Sequence, residues 1–208
     1  MIQMQEKRRE LNKRQSRMRI LKSARTLFSA EGYEETTMED VARYAEVSRA
    51  TLYNYFPSKE SLLTGIAEDE MDTISHLIDV ELQSEPQYLL KLLAVMESFV
   101  FDIASYIALA RRITYLNSCP DSILYGIRLR MLHIVHDLVE GAQQQGDIRT
   151  DVPVEDLVHM VLGVCLTAQF EWTNIAEYTQ EYCGSKLRRF FYYMLAGVLT
   201  EAGRQRIM

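Results

Sequence analysis

The chain has little of what would build a sheet, a disulfide scaffold, a membrane span or an active site. Only 9 glycines and 4 prolines punctuate its 208 residues. No stretch shows the period-two alternation of a half-buried strand, and no repeat or low-complexity linker interrupts it. The three cysteines, Cys119, Cys165 and Cys183, are odd in number and widely spaced. That argues against a disulfide framework and offers no C-x-x-C metal pattern, and it suits reduced thiols in a cytoplasm. No apolar run approaches the roughly 20 residues needed to span a bilayer. The basic N-terminus lacks the apolar segment of a secretory signal. A Gly-rich phosphate loop, a nucleophile elbow and an H-E-x-x-H helix are all missing. These absences point away from an enzyme, a cofactor-bearing protein and a membrane protein.

Charge is unevenly shared. The net charge is −6, yet residues 1–65 carry 12 Lys and Arg against 9 Asp and Glu, while the remainder carries 11 against 20. A basic end on an acidic body suits a polyanionic partner at that end, although a solvated tail has the same composition.

Helical periodicity fills the space that strands leave empty. Residues 1–15 are polar and charged; they are expected to be disordered, or to extend the first helix when an anion is near. The first helix is predicted over Ser16–Ala30, with Ile20, Leu21, Ala24, Leu27 and Phe28 on one face and Gly32 as its stop. Thr37-Met38-Glu39-Asp40 is a capping signature that opens a second helix, buried through Val41, Ala42 and Ala45. Ser48 is a good N-cap for a third helix, which must end by Phe56-Pro57. Ser58 caps a fourth, predicted to run to about Leu82. Further helices are predicted over Pro86–Ser105, Tyr106–Leu116, Ser122–Gln145, Pro153–Tyr178 and Ser185–Ala202, about nine in all. The fold class is therefore all-α. It divides into a basic arm (1–15), a three-helix helix-turn-helix domain (16–69) and a helical domain (70–208).

The third helix concentrates the chemistry. Ser48, Arg49, Ala50, Thr51, Tyr53, Asn54 and Tyr55 fall within about two turns, a density of groups suited to base edges and phosphates. Arg49 can pair with guanine O6 and N7, and the Ala50 and Thr51 methyls can meet thymine. Hydroxyls of Thr37, Tyr53 and Tyr55 can reach phosphate oxygens, and Lys59 stands in the first turn of the fourth helix, where a phosphate would offset its clash with the helix dipole. Leu52 and Phe56 are expected to face inward. For Tyr55 half-buried packing is an equal alternative, and Lys59 can equally extend into water.

These residues resemble a known family. I-L-x-x-A-x-x-L-F-x-x-x-G-Y on the first helix, Thr36-Thr37 followed by V-A-x-x-A-x-V-S, and T-L-Y-x-Y-F-P-S-K-E-x-L-L together resemble the DNA-binding domain of the TetR-type bacterial transcriptional regulators over Arg17–Asp69. Glu46 departs from the pattern where such turns often carry Gly. The resemblance implies that Ser48, Arg49, Ala50, Thr51 and Tyr53 enter the major groove and that Thr37, Tyr55 and Lys59 hold phosphates. Lys13, Arg14 and Arg17 are candidates for further phosphate contacts. It also implies a repressor that binds its operator as a homodimer, with half-sites about 34 Å apart, and that a small-molecule effector releases.

The acidic remainder then has two tasks. The last two helices (157–168 and 187–199) are candidates to pair with a second copy, although they could equally fill their own core. Polar or aromatic groups inside the other apolar helices are candidate effector contacts: Phe99, Tyr106, Arg112, Tyr115, His133, Gln169 and Trp172. A protein partner on the helical surface is the alternative; an internal apolar cavity would favour the small molecule. His133/Asp137 and His136/Glu140 are i,i+4 pairs without a third metal ligand, so no metal and no cofactor is expected.

Overall fold

The computed structural model describes residues 2–170 and 180–207. Among them lie ten α-helices: α1 (Ile2–Ala30), α2 (Met38–Tyr44), α3 (Arg49–Tyr55), α4 (Lys59–His76), α5 (Tyr88–Ser105), α6 (Ile107–Asn117), α7 (Tyr125–Gln144), α8 (Val154–Phe170), α9 (Gln180–Leu195) and α10 (Glu201–Ile207). The chain separates into two compact units, Met1–Asp69 and Glu70–Met208.

In the first unit the polar segment before Ser16 extends α1 to Ile2. Its run of Gln, Glu, Lys, Arg and Leu contains strong helix formers and no Gly or Pro. The core joins Ile20, Leu21, Ala24 and Phe28 of α1 to Val41 and Ala42 of α2, Leu52 of α3, and Leu62, Leu63 and Ile66 of α4, all buried. Gly65 sits where α4 crosses this core. A Cβ there would stand 2.8 Å from Phe56 Cε1 and 2.9 Å from Leu21 Cδ2. The turn between α2 and α3 places Glu46 at φ 53°, the single non-glycine residue at positive φ among the described residues. That strain is of order 1 kcal/mol.

In the second unit α5, α7, α8 and α9 surround a core that includes Leu92, Val95, Met96, Val135, Leu138, Leu157, Val161, Leu187, Phe191 and Leu195. Helix α4 gives way to a π-helical turn over Leu77–Glu81. The last predicted helix is shorter than its apolar stripe suggests. Helix α9 stops at Leu195, and Leu199 forms an antiparallel bridge with Ile148 instead. Thr200 N donates to the Asp147 carbonyl at 2.9 Å, and Gly203 N donates to Thr200 Oγ1 at 3.1 Å, which starts α10. Asp147 is fully buried, and its Oδ2 accepts from Arg206 Nη1 at 2.9 Å. A Cβ on Gly203 would meet the Asp147 carbonyl oxygen at 2.2 Å. The bridge is long-range, so periodicity along one helix could not reveal it.

Candidate functional site

Helix α3 is held at its two ends and by one side chain. Ser48 Oγ accepts from Thr51 N at 3.0 Å and lies 2.7 Å from Thr51 Oγ1. At the other end Phe56 N closes on the Leu52 carbonyl at 2.8 Å. Leu52 is the sole buried residue of the helix, at 0% exposure. Everything else faces outward to some degree: Arg49, Ala50, Tyr53 and Asn54 are exposed, and Thr51 and Tyr55 are half-buried. A seven-residue helix with one buried side chain contributes little apolar burial to the core, and most of its surface is left for a partner.

The outward groups differ in readiness. Tyr53, Asn54 and Tyr55 make no side-chain hydrogen bond among the described residues, so their donors and acceptors are open to a ligand. Arg49 is engaged: its guanidinium ion-pairs with Glu39 of α2, and both side chains remain substantially exposed. Glu39 was not foreseen as its partner. The signal was available, since Glu39 lies in the first turn of α2, the helix beside α3.

Thr37 and Lys59 are also occupied. Thr37 is the N-cap of α2 in a full capping box: Asp40 N donates to Thr37 Oγ1 at 3.1 Å, and Thr37 N donates to Asp40 Oδ2 at 3.1 Å. The Thr37 hydroxyl donates to the same carboxylate at 2.5 Å. That hydroxyl, then the Thr37 amide and the Arg43 guanidinium, hold the Asp40 carboxyl below the usual carboxylate range. The Thr37 hydroxyl proton must therefore turn away from Asp40 before it can serve a phosphate. Lys59 Nζ donates to the Glu34 carbonyl at 3.0 Å and stands 4.5 Å from the centroid of the Tyr33 ring. This anchor on the loop after α1 was not foreseen either. An ammonium has three donors, so Lys59 keeps others for an anion.

On α1, Arg17 is taken up by the fold. Its guanidinium lies 3.4 Å from Glu68 and 5.5 Å from the Phe56 ring centroid. Lys13 and Arg14 stay exposed and unpaired among the described residues. They remain free cations of the arm, together with Lys7, Arg8 and Arg9.

The second unit contains a cavity of about 130 Å³ bounded by α4, α5, α6, α7 and α8. Its wall is mostly apolar, with Met71, Phe99, Ile113, Met131 and Leu162, and carries the polar groups Glu70, Thr114, Asn117, Arg128 and His159. Of the residues singled out from sequence, Phe99 lines it. The face of α6 toward the cavity is Ala110, Ile113, Thr114 and Asn117, a helical i, i+3, i+4, i+7 set. Arg112 and Tyr115 fall on other faces of the same helix, and Tyr115 is 69% exposed. Tyr106 precedes α6 as its N-cap and lies off the wall. His133 is on the outside of α7, its Nε2 3.6 Å from Asp137 Oδ2, and His136 Nδ1 lies 3.7 Å from the same side chain. The side chain of Gln169 and the whole of Trp172 lie outside the described residues. No group of three metal-ligating side chains comes together among the described residues.

Helices α8 and α9 each have two faces. Leu157, Val161, Leu187, Phe191 and Leu195 point into the core, whereas Met160, Leu166, Phe190 and Tyr193 are exposed. No helix among the described residues is long and apolar enough to cross a membrane.

Comparison with known proteins agrees with both units. Residues 20–66 match the family model for bacterial regulatory proteins of the tetR family. Residues 91–181 match the SbtR-like transcriptional regulator C-terminal domain. The chain belongs to the TetR-type family of bacterial transcriptional regulators. It is 31% identical over 85 residues to IcaR, the negative regulator of the biofilm operon icaADBC in Staphylococcus aureus; the match covers 41% of this chain and 46% of that protein. The chain thus spans about half the length of that relative. It is 26% identical over 149 residues to MftR of Mycobacterium tuberculosis, a candidate mycofactocin biosynthesis regulator, covering 70% and 74% of the two chains. Among solved structures, FadR from Bacillus subtilis in complex with stearoyl-CoA superposes with a TM-score of 0.71 at 19% identity, over 87% of this chain and 98% of that one. At that identity the likeness shows the fold alone.

Proposed function

We propose that this protein is a homodimeric, cytoplasmic transcriptional repressor that binds an operator through α3 and is released by a small molecule bound in the second unit. The observation that carries the DNA reading is the outward face of α3. It holds Arg49, Ala50, Tyr53 and Asn54 exposed on a helix anchored by Leu52, in the place where a helix-turn-helix presents its reading residues. Ser48 and Thr51 border that face, and Thr37, Tyr55 and Lys59 flank it as phosphate contacts. The names of the relatives support repression: IcaR is a negative regulator.

One helix-turn-helix grips DNA weakly, so two copies are needed to span successive half-sites. The exposed Met160 on α8 and Phe190 and Tyr193 on α9 offer apolar surface for that pairing. The protein-partner alternative is less favoured, because the second unit contains an apolar-walled cavity. An effector there touches Glu70 and Met71 of α4, the helix whose first turns belong to the reading unit. Differential affinity of a few kcal/mol between two states is enough to move such an equilibrium.

The test is a gel shift on an operator found by in vitro selection, with sedimentation alongside. Arg49→Ala and Tyr53→Ala are expected to abolish specific binding and leave the dimer intact. Unchanged DNA affinity in both variants would remove α3 as the reading element.

A further inference from the structure

The cavity in the second unit has a charge that the protein does not neutralise. Arg128 stands half-buried on its wall and makes no hydrogen bond or ion pair among the described residues. Glu70, the one carboxylate on the same wall, already has a partner within the protein. Arg128 is therefore the charged side chain on this wall that is left without a protein partner among the described residues. Two further side chains support it. Thr114 and Asn117 lie one turn apart on α6, line the cavity and also make no side-chain hydrogen bond among the described residues. Helices α6 and α7 pack against each other, and Arg128 lies in the first turn of α7. A guanidinium, a hydroxyl and an amide thus line one mostly apolar space. These half-buried groups find no acceptor in the protein, so solvent or an occupant satisfies them.

We infer that the effector is a small organic monoanion: a carboxylate held by Arg128, with Thr114 and Asn117 as accessory donors, on an aromatic or short aliphatic body. A guanidinium presents paired donors that match a carboxylate, and such bonds strengthen when partly shielded from water. Size follows from the 130 Å³ volume. An apolar cavity of about 150 Å³ takes benzene, so the body has on the order of six to ten non-hydrogen atoms. A long acyl chain on coenzyme A does not fit this space. The assignment deepens the effector reading above and rests on it for its regulatory meaning.

Titration calorimetry on the whole protein tests it, using benzoate and hexanoate against their neutral isosteres benzamide and hexanamide. At least one carboxylate is expected to bind at least about tenfold more tightly than its amide. Arg128→Gln should remove that preference by weakening the carboxylate far more than its amide, and Arg128→Lys should keep part of it. Equal binding of acids and amides, binding of neither, or a preference untouched in Arg128→Gln would overturn the inference. So would tighter binding of octanoyl-CoA than of either acid. The same ligands are then added to the protein–operator complex. A carboxylate that binds through Arg128 without altering operator affinity refutes the effector reading and leaves this site standing. Release of the operator by a neutral compound does the reverse.

Discussion

On the proposed DNA reading Arg49 exchanges its contact with Glu39 for a guanine edge, so Glu39 is expected to act as a brake on DNA reading. The brake is weak. Both side chains are well exposed, 69% for Arg49 and 44% for Glu39, and a solvated pair of that kind is worth roughly 0.2–1 kcal/mol. Glu39→Gln is therefore expected to raise operator affinity by up to about fivefold per protomer, or about 30-fold for the dimer. For comparison, Arg49→Ala would remove from each half-site a base contact worth about 1–3 kcal/mol and should weaken binding by the dimer at least about 30-fold. Loss of a carboxylate near phosphates would also help binding nonspecifically, so the single variant is ambiguous. A double-mutant cycle separates the two contributions: in the Arg49→Ala background the gain from Glu39→Gln should largely disappear. Fluorescence anisotropy at two salt concentrations supplies the readout, and the gain should shrink as salt screens the exposed pair. If Glu39→Gln helps equally without Arg49, the effect is only general charge. If it weakens binding, Glu39 orients Arg49 toward the base instead of restraining it, and the reasoning fails.

Three other outcomes are expected. Lys13→Gln and Arg14→Gln should each lower the slope of log affinity against log salt by about 0.9 per protomer, about 1.8 for the dimer, with little change in sequence preference, if each meets a phosphate; an unaltered slope would make the arm a mere solvated helix. Leu52→Ala removes the one buried side chain of α3 and should cost about 2–5 kcal/mol in denaturant unfolding of the first unit. The Asp40 carboxyl, held low mainly by the Thr37 hydroxyl, stabilises α2 above the ordinary carboxylate range and loses that contribution as pH falls through its lowered native value. Thr37→Val should move the NMR titration of Asp40 upward, and no movement would deny the hydroxyl its role.

The helix-turn-helix was legible because its signals are local. Thr37 and Asp40 close a capping box within four residues, Ser48 and Pro57 bracket α3, and Glu46 occupies the positive-φ turn its position suggested. The partners of the site residues were not legible, because they are tertiary. Lys59 finds the Glu34 carbonyl across 25 positions, and Arg17 finds Glu68 across 51. The second unit shows the same limit. The apolar stripe through Leu199 looked like one helix, yet the chain turns after Leu195 because Leu199 has a better partner in Ile148. A cavity is a shortfall of packing among five helices, and no residue type encodes it. Aromatic character selected Tyr115, which faces outward, whereas the polar wall residues Thr114, Asn117 and Arg128 looked ordinary in sequence.

The pairing of Asp147 with Arg206 makes the last helix a clasp on the corner between α7 and α8. A chain stopped at Leu199 would leave the fully buried Asp147 carboxylate without its cation. Breaking a buried pair from one side removes about 3–5 kcal/mol, a large share of the roughly 5–15 kcal/mol that holds a domain folded. Gly203→Ala would loosen the same clasp by driving a methyl group into the Asp147 carbonyl oxygen, at about 1–3 kcal/mol in a thermal melt. The two ends of the chain therefore tolerate trimming unequally. The exposed residues 7–15 can be shortened with little effect on stability, but trimming α10 would loosen the second unit.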